Sequence, residues 1–258
     1  MKPVARFRPR SLLAAAVLIL GLLVLAAVPA AADTLPIVEK SIALHGGDIL
    51  EHSVVELEIC SRSGCTALEV ETDGERYRHV ASGEVGEVER RVEATNDSVT
   101  LWEDGEEVPI AADDEQRYRD WVSARVYFAF LPKRLEDSSV NLRDLGLVDW
   151  QGRSLHKVEA TFDTGSSTAA ADTYIYWFDP ETARVEQFAY SFGSKGGLRF
   201  RPAFNYRQVE GVTFFDQKNY GVENPQITTG DIDPEIADGM ELVSTVTLKN
   251  ISVRPLKP

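Results

Sequence analysis

Only two cysteines occur in the chain, Cys60 and Cys65. They flank Ser61-Arg62-Ser63-Gly64, and on either side Val54 to Ile59 and Ala67 to Thr72 alternate as hairpin strands do. A disulfide across such a turn suits an exported protein. Its short loop limits the stabilisation to less than the ~3 kcal/mol of a 15-residue loop. A redox pair would instead want Cys-x-x-Cys with an activating neighbour, and a two-cysteine metal site lacks its other ligands. The four histidines, His45, His52, His79 and His156, have no zinc spacing and form no His-Glu-x-x-His. His45 stands near Asp48, Glu51 and His52. As a histidine before a Gly pair it reads first as a helix C-terminal residue bonding nearby carbonyls. The catalytic alternative is an envelope hydrolase using His45, these acids and Arg199 or Arg201.

Other chemical motifs fall short. No Gly-x-Ser-x-Gly is present, so a nucleophile elbow is not indicated. Ser154-Leu155-His156-Lys157 spells Ser-x-x-Lys, but in a strand residues three apart point to opposite faces. Gly193 to Gly197 is glycine-rich without the order of a phosphate loop or a helix after it, and reads as a hairpin tip. In the acidic stretch Asp231 to Asp238, the position a calcium loop reserves for Gly is Ile236. The expectation is therefore no metal, no cofactor and no catalytic residue.

The elements that surround these residues begin with a leader. Lys2, Arg6, Arg8 and Arg10 precede an apolar run from Leu12 to Val28, which ends at Pro29-Ala30-Ala31-Ala32. This is a signal peptide pattern, with cleavage expected after Ala32 and residues 33–258 forming one β-rich domain. The other reading is an uncleaved anchor, since 17 apolar residues approach the lower limit for a membrane span. Either way the folded part works outside the cytoplasm, in the periplasm or beyond. A formal net charge of −14, with all four leader charges basic, makes the folded part strongly acidic. Such a surface repels nucleic acid and anionic headgroups.

Asp33 to His45 reads as a short helix with Pro36 in its first turn and Gly46-Gly47 as its stop. A longer helix is predicted from about Asp113 to Phe130, with acids in its first turn and Pro132 beyond its end. Val126 to Leu131 is apolar on every side, so that end should be buried all round. Nearly everything else reads as strand, with one strand from Val85 to Ala94 and a meander from Gly146 to Val253. In Tyr174-Ile175-Tyr176-Trp177-Phe178 both faces are bulky and apolar, and the long helix is the element available to cover the second. The fold class is mainly β (α+β): a curved antiparallel sheet or unclosed barrel, with the longer helix on its concave face.

Ala43-Leu44-His45-Gly46-Gly47, Val126 to Pro132, Tyr176 to Thr182 and Gly197-Leu198-Arg199-Phe200-Arg201 with Phe204-Asn205 carry a resemblance. Together they resemble an uncharacterised family of secreted bacterial proteins, a domain of unknown function, across nearly the whole chain after the leader. The cysteine pair lies outside that pattern, as a local staple. The element order also resembles the bacterial outer-membrane lipoprotein carriers in architecture. That resemblance implies a concave apolar surface able to hold acyl chains, hence a non-enzymatic binder or carrier of a lipid or lipid-modified partner. The aromatic surplus supplies candidates for its lining: Trp121, Phe128, Phe130 and Trp177, then Phe188, Tyr190, Phe200 and Phe204. The competing expectation is ordinary packing of helix on sheet, as in a ligand-free interaction module.

Overall fold

Alternation of apolar and charged residues generates strands through most of the chain, and a computed structural model describes residues 34–163, 173–192, 197–223 and 227–257. All belong to the compact unit Ala32–Pro258. The leader and the glycine-rich tip at 193–196 lie outside the described residues.

Two short helices open the fold, α1 (Pro36–Leu44) and α2 (Gly47–Glu51). Pro36 sits in the first turn of α1, where its missing N–H costs nothing. The corner between the helices is Gly46 at φ +118°, where a Cβ would stand 3.0 Å from Leu50 and Val212. Only glycine accepts both that backbone and that proximity.

Six strands follow: β1 (His52–Ser61), β2 (Gly64–Asp73), β3 (Arg76–Val85), β4 (Val88–Thr95), β5 (Val99–Glu103) and β6 (Glu106–Val108). The strand expected to run from Val85 to Ala94 is β4 and starts only at Val88, because β3 continues through Val85 and Gly86, at φ +69°, makes the turn between them. Then comes α3 (Glu115–Ala129), led in by a 3-10 turn that holds Asp113 and Asp114 at the helix N-terminus. Seven further strands complete the sheet: β7 (Val140–Trp150), β8 (Arg153–Phe162), β9 (Tyr174–Phe178), β10 (Val185–Phe192), β11 (Gly197–Val209), β12 (Val212–Glu223) and β13 (Glu241–Pro255). A five-residue helix, α4 (Pro234–Asp238), precedes the last strand, its first turn capped by Asp233.

All thirteen strands form one antiparallel sheet in the order β6-β5-β4-β3-β2-β1-β13-β12-β11-β10-β9-β8-β7. The chain meanders out to β6, crosses on α3 to the opposite edge at β7, and meanders back until β13 pairs with β1. The edges do not meet, so the barrel is unclosed. Its curvature follows from distances. In a flat sheet β3 and β9 would lie seven strands apart, roughly 33 Å at ~4.8 Å per strand. Yet Arg119 of α3 donates to the Tyr77 hydroxyl of β3 at 2.8 Å, and Tyr127 meets the Tyr176 hydroxyl of β9 at 2.6 Å. Eight helical residues span only about 12 Å, so the sheet wraps around the helix.

Within this wrap α3 buries two stripes. Val122, Val126 and Ala129 join Leu57, Val70, Val92 and Leu101 in a core against the first half of the sheet. Tyr127 and Phe128 pack on a second core with Tyr176, Phe178, Phe188 and Phe215, which also takes in α1 through Val38 and Ile42. A third core lies on the other face of β9 to β11, where Ile175 and Trp177 meet Trp150 and Phe200. The cover over that face is not the long helix. Ile232, Ile236 and Met240, from the segment carrying α4, close it. The two apolar faces of β9 are thus met by two different elements.

Candidate functional site

Where α3 passes between the two halves of the sheet, its small residues leave space. Ser123 and Ala124 are exposed on the helix, facing Thr72 and Gly74 at the turn between β2 and β3. The hollow there has a volume of about 580 Å³. Its apolar floor comprises Val126, Tyr127, Phe128, Phe162 and Tyr174, and its polar rim includes Glu75, Asp120, Arg134 and Asp137. A smaller hollow of about 160 Å³ adjoins it, sharing Val126, His79, Arg134 and Asp137 and reaching on to Phe130 and Lys133.

The floor is rigid. Tyr127 and Tyr176 bond hydroxyl to hydroxyl at 2.6 Å, and burial holds both phenols neutral, well above their ordinary pKa. Tyr174 stacks on Tyr190 at 5.1 Å and meets Phe162 edge-on at 5.5 Å. Phe128 lies over Phe188 and Tyr190 at 6.1 and 5.4 Å. Beneath Phe128 is a buried cation, Arg201, 4.4 Å from the ring. Its guanidinium donates to Gln217 Oε1 at 3.0 Å, and Gln217 Nε2 donates to the Phe128 carbonyl at 2.9 Å. That carbonyl belongs to the last turn of α3, the negative end of the helix dipole, which favours a nearby cation. The relay ties β11 and β12 to the helix.

At the rim, Arg134 pairs with Asp137 at 2.8 Å, and Lys133 is held between Glu51 and Glu136. Burial pushes the Asp137 carboxyl above its ordinary range, against the pull of Arg134. His79 contributes from β3 and is only 8% exposed. Its ring packs against Tyr77 at a tilt of 31°, centroids 4.5 Å apart. Burial, reinforced by the positive Arg134, pushes its pKa down to about 3, so the imidazole is neutral.

The lining candidates separate by face. Phe128 lines the larger hollow and Phe130 the smaller. Phe188 and Tyr190 form the layer under Phe128, while Trp121 carries the Arg125 guanidinium 3.8 Å above its ring. Trp177 and Phe200 sit on the opposite face of the sheet with Trp150, and Phe204 is half-buried on β11. Tyr127, Phe162, Tyr174 and His79 emerge from the structure alone. A period of four along the helix links Asp120, Ala124 and Phe128, but no sequence signal joins that stripe to the turn after β2.

The histidine and arginines of the hydrolase reading keep separate company. His45 is buried, donates from Nδ1 to the Thr213 carbonyl at 2.9 Å and meets Phe215 edge-on at 5.5 Å. Burial lowers its pKa to about 4. It fastens the end of α1 to β12. Glu51 is engaged with Lys133, and Arg199 donates to the Leu198 carbonyl at 2.9 Å. Cys60 and Cys65 are disulfide-bonded directly across the β1–β2 pair. Their sulfurs, with Glu58, are the one group of potential metal ligands that cluster among the described residues, and the disulfide removes both thiolates. No described helix is long and apolar enough to cross a membrane.

Sequence comparison assigns the chain: it belongs to a family of unknown function (DUF6503), whose pattern matches residues 15–232. Among curated proteins the chain has no match. Among solved structures it is similar to a LolA superfamily protein from Nitrosomonas europaea. That similarity has 10% identity and a TM-score of 0.49, covering 86% of this chain and 93% of the other. A DUF1329 family protein from Desulfovibrio piger shows 12% identity and a TM-score of 0.47, covering 85% and 93%. At such scores the fold is read from this chain's own sheet order.

Proposed function

We propose that this member of the family is an exported, non-enzymatic binder that holds a lipid or other apolar molecule between α3 and the sheet. The observation that carries the reading is the 580 Å³ hollow with its aromatic floor. Its volume falls within the roughly 300–1,000 Å³ of small-molecule sites, which are mostly apolar with a few polar groups. Small residues at Ser123 and Ala124, where a leucine would fill the space, support a role for the opening beyond packing. For cargo with a hydrocarbon chain, each methylene moved from water onto such a floor gains about 0.8 kcal/mol. The leader pattern and the disulfide support export.

Native mass spectrometry and solvent extraction of the purified protein should reveal a co-purifying apolar ligand, and the emptied protein should take up a fluorescent fatty-acyl probe. Ala124→Trp, at an exposed helix position, should reduce uptake at least tenfold with little change in thermal stability. Ligand-free preparations that also refuse the probe would overturn the proposal.

A further inference from the structure

Resting on the binding reading, we infer that the smaller hollow is a subsite for an uncharged, hydroxyl-bearing head, such as the glyceryl group of a monoacylglycerol, whose tail lies in the larger one. The two hollows share Thr72, His79, Val126 and Asp137, so a tail on Tyr127, Phe128 and Tyr174 delivers its head to the smaller. At about 160 Å³ that space admits a small head and no second long tail.

Two independent features of the smaller hollow define the head. The first is Ser53, only 2% exposed, which lines it and whose Oγ has no hydrogen-bond partner among the described residues. Alternation along β1 sets Ser53 on the concave face with Val55 and Leu57, which pack in the core beneath α3. A hydroxyl there interrupts an apolar face, and leaving a buried one unmet is costly. Thr72 stands directly opposite it on β2, and His79 occupies the next inward-facing row, opposite Val70. The two hydroxyls and the neutral imidazole can each donate one hydrogen bond and accept another, and an alcohol has the same double capacity. The second feature is charge balance. Lys133 is held between Glu51 and Glu136, and Arg134 by Asp137. An ionised head finds each basic group and its acid already engaged, so it must break a pair or lie unmatched between low-dielectric walls. An alcohol leaves every pair intact.

The test is titration calorimetry of the folded chain at pH 7 with monodecanoylglycerol, methyl decanoate, decanoate and decylamine, each below its aggregation concentration. The two esters share tail and carbonyl, so their difference reads the hydroxyls. The glycerol ester should bind at least tenfold tighter than the methyl ester and tighter than both ions. Ser53→Ala should weaken the glycerol ester about fivefold, the worth of one hydrogen bond, and leave the methyl ester unchanged. It should also leave the urea midpoint of the empty protein unchanged or raised, since the lost hydroxyl had no partner. Thr72→Val, which keeps the side chain's shape, should narrow the ratio of the two esters as well. A lower midpoint for Ser53→Ala would mean that the fold already satisfies the hydroxyl, and overturns the inference. So does a ratio that both variants leave unchanged, or an ion that binds as tightly as the glycerol ester. Equal binding of the two esters overturns the subsite while the binding reading stands. Binding of none of these probes overturns both.

Discussion

His45 and His79 show what burial does to a single titratable ring. In the folded chain their pKa values lie at about 4 and about 3, against 6.5 for a free imidazole, because burial penalises the charged form. Below pH 6.5 the unfolded chain takes up protons that the folded chain refuses. Their contribution to stability is therefore complete above 6.5 and declines as pH falls towards the folded values. Between pH 6.5 and 5 each ring should withdraw about 2 kcal/mol, at 1.36 kcal/mol per unit. Urea midpoints at pH 7 and pH 5 check this. His79→Phe should show a smaller drop than wild type, and equal drops would mean that the ring is not buried neutral. Comparison within one pH pair separates the ring from the carboxylates that titrate lower.

At the scale of elements, α3 is held to the sheet by paired groups that belong to different strands. The Tyr127–Tyr176 hydroxyl pair pins it to β9. Tyr127→Phe strands the Tyr176 hydroxyl in a site fully removed from solvent, at a cost of about 1–3 kcal/mol. Replacing both tyrosines by Phe removes donor and acceptor together and should cost less than the single change, a non-additivity that a double-mutant cycle measures. The β1–β2 hairpin is held differently. Its disulfide closes a separation of five residues, for which loop-closure entropy gives about 2 kcal/mol at most. Cys60→Ser with Cys65→Ser should lower the unfolding free energy, read from urea titration, by no more than that amount. It should also leave acyl-probe uptake intact, since neither residue borders the hollow. Loss of uptake on reduction would show that the hairpin shapes the site.

For the whole molecule, the decisive contact is the one between the first and last strands. β13 lies between β1 and β12 and, among the described residues, is the only strand that bridges the two meanders within the sheet. A chain ending before Glu241 would leave two partial sheets with unpaired edges and an α3 that has lost the curvature around it. Such a truncation should abolish the cooperative thermal transition and expose α3 to protease, whereas removing only the last few residues after Pro255 should change neither. A cooperative transition in the truncated chain would mean that one meander folds by itself.

Strand periodicity, the acidic first turn near Asp113 and Pro132 beyond the helix made the mainly-β class and the long helix legible in the sequence, because these signals are local and repeat every two or four residues. The hairpin bearing Cys60 and Cys65 was equally local, and its disulfide is present. The turn between β3 and β4 lies at Gly86 and not before Val85, a shift the sequence does not mark because valines stand on both sides of it. What covers Trp177 and Phe200 could not be read either, since apolar strand faces look alike whether α3 or the segment around Ile232 and Met240 lies upon them. The hollow belongs wholly to the tertiary structure: His79, Ala124, Asp137 and Tyr174 meet only because a thirteen-strand sheet bends around one helix. Sequence determined which side chains were apolar, and the sheet's curvature decided which of them face a space and which face one another.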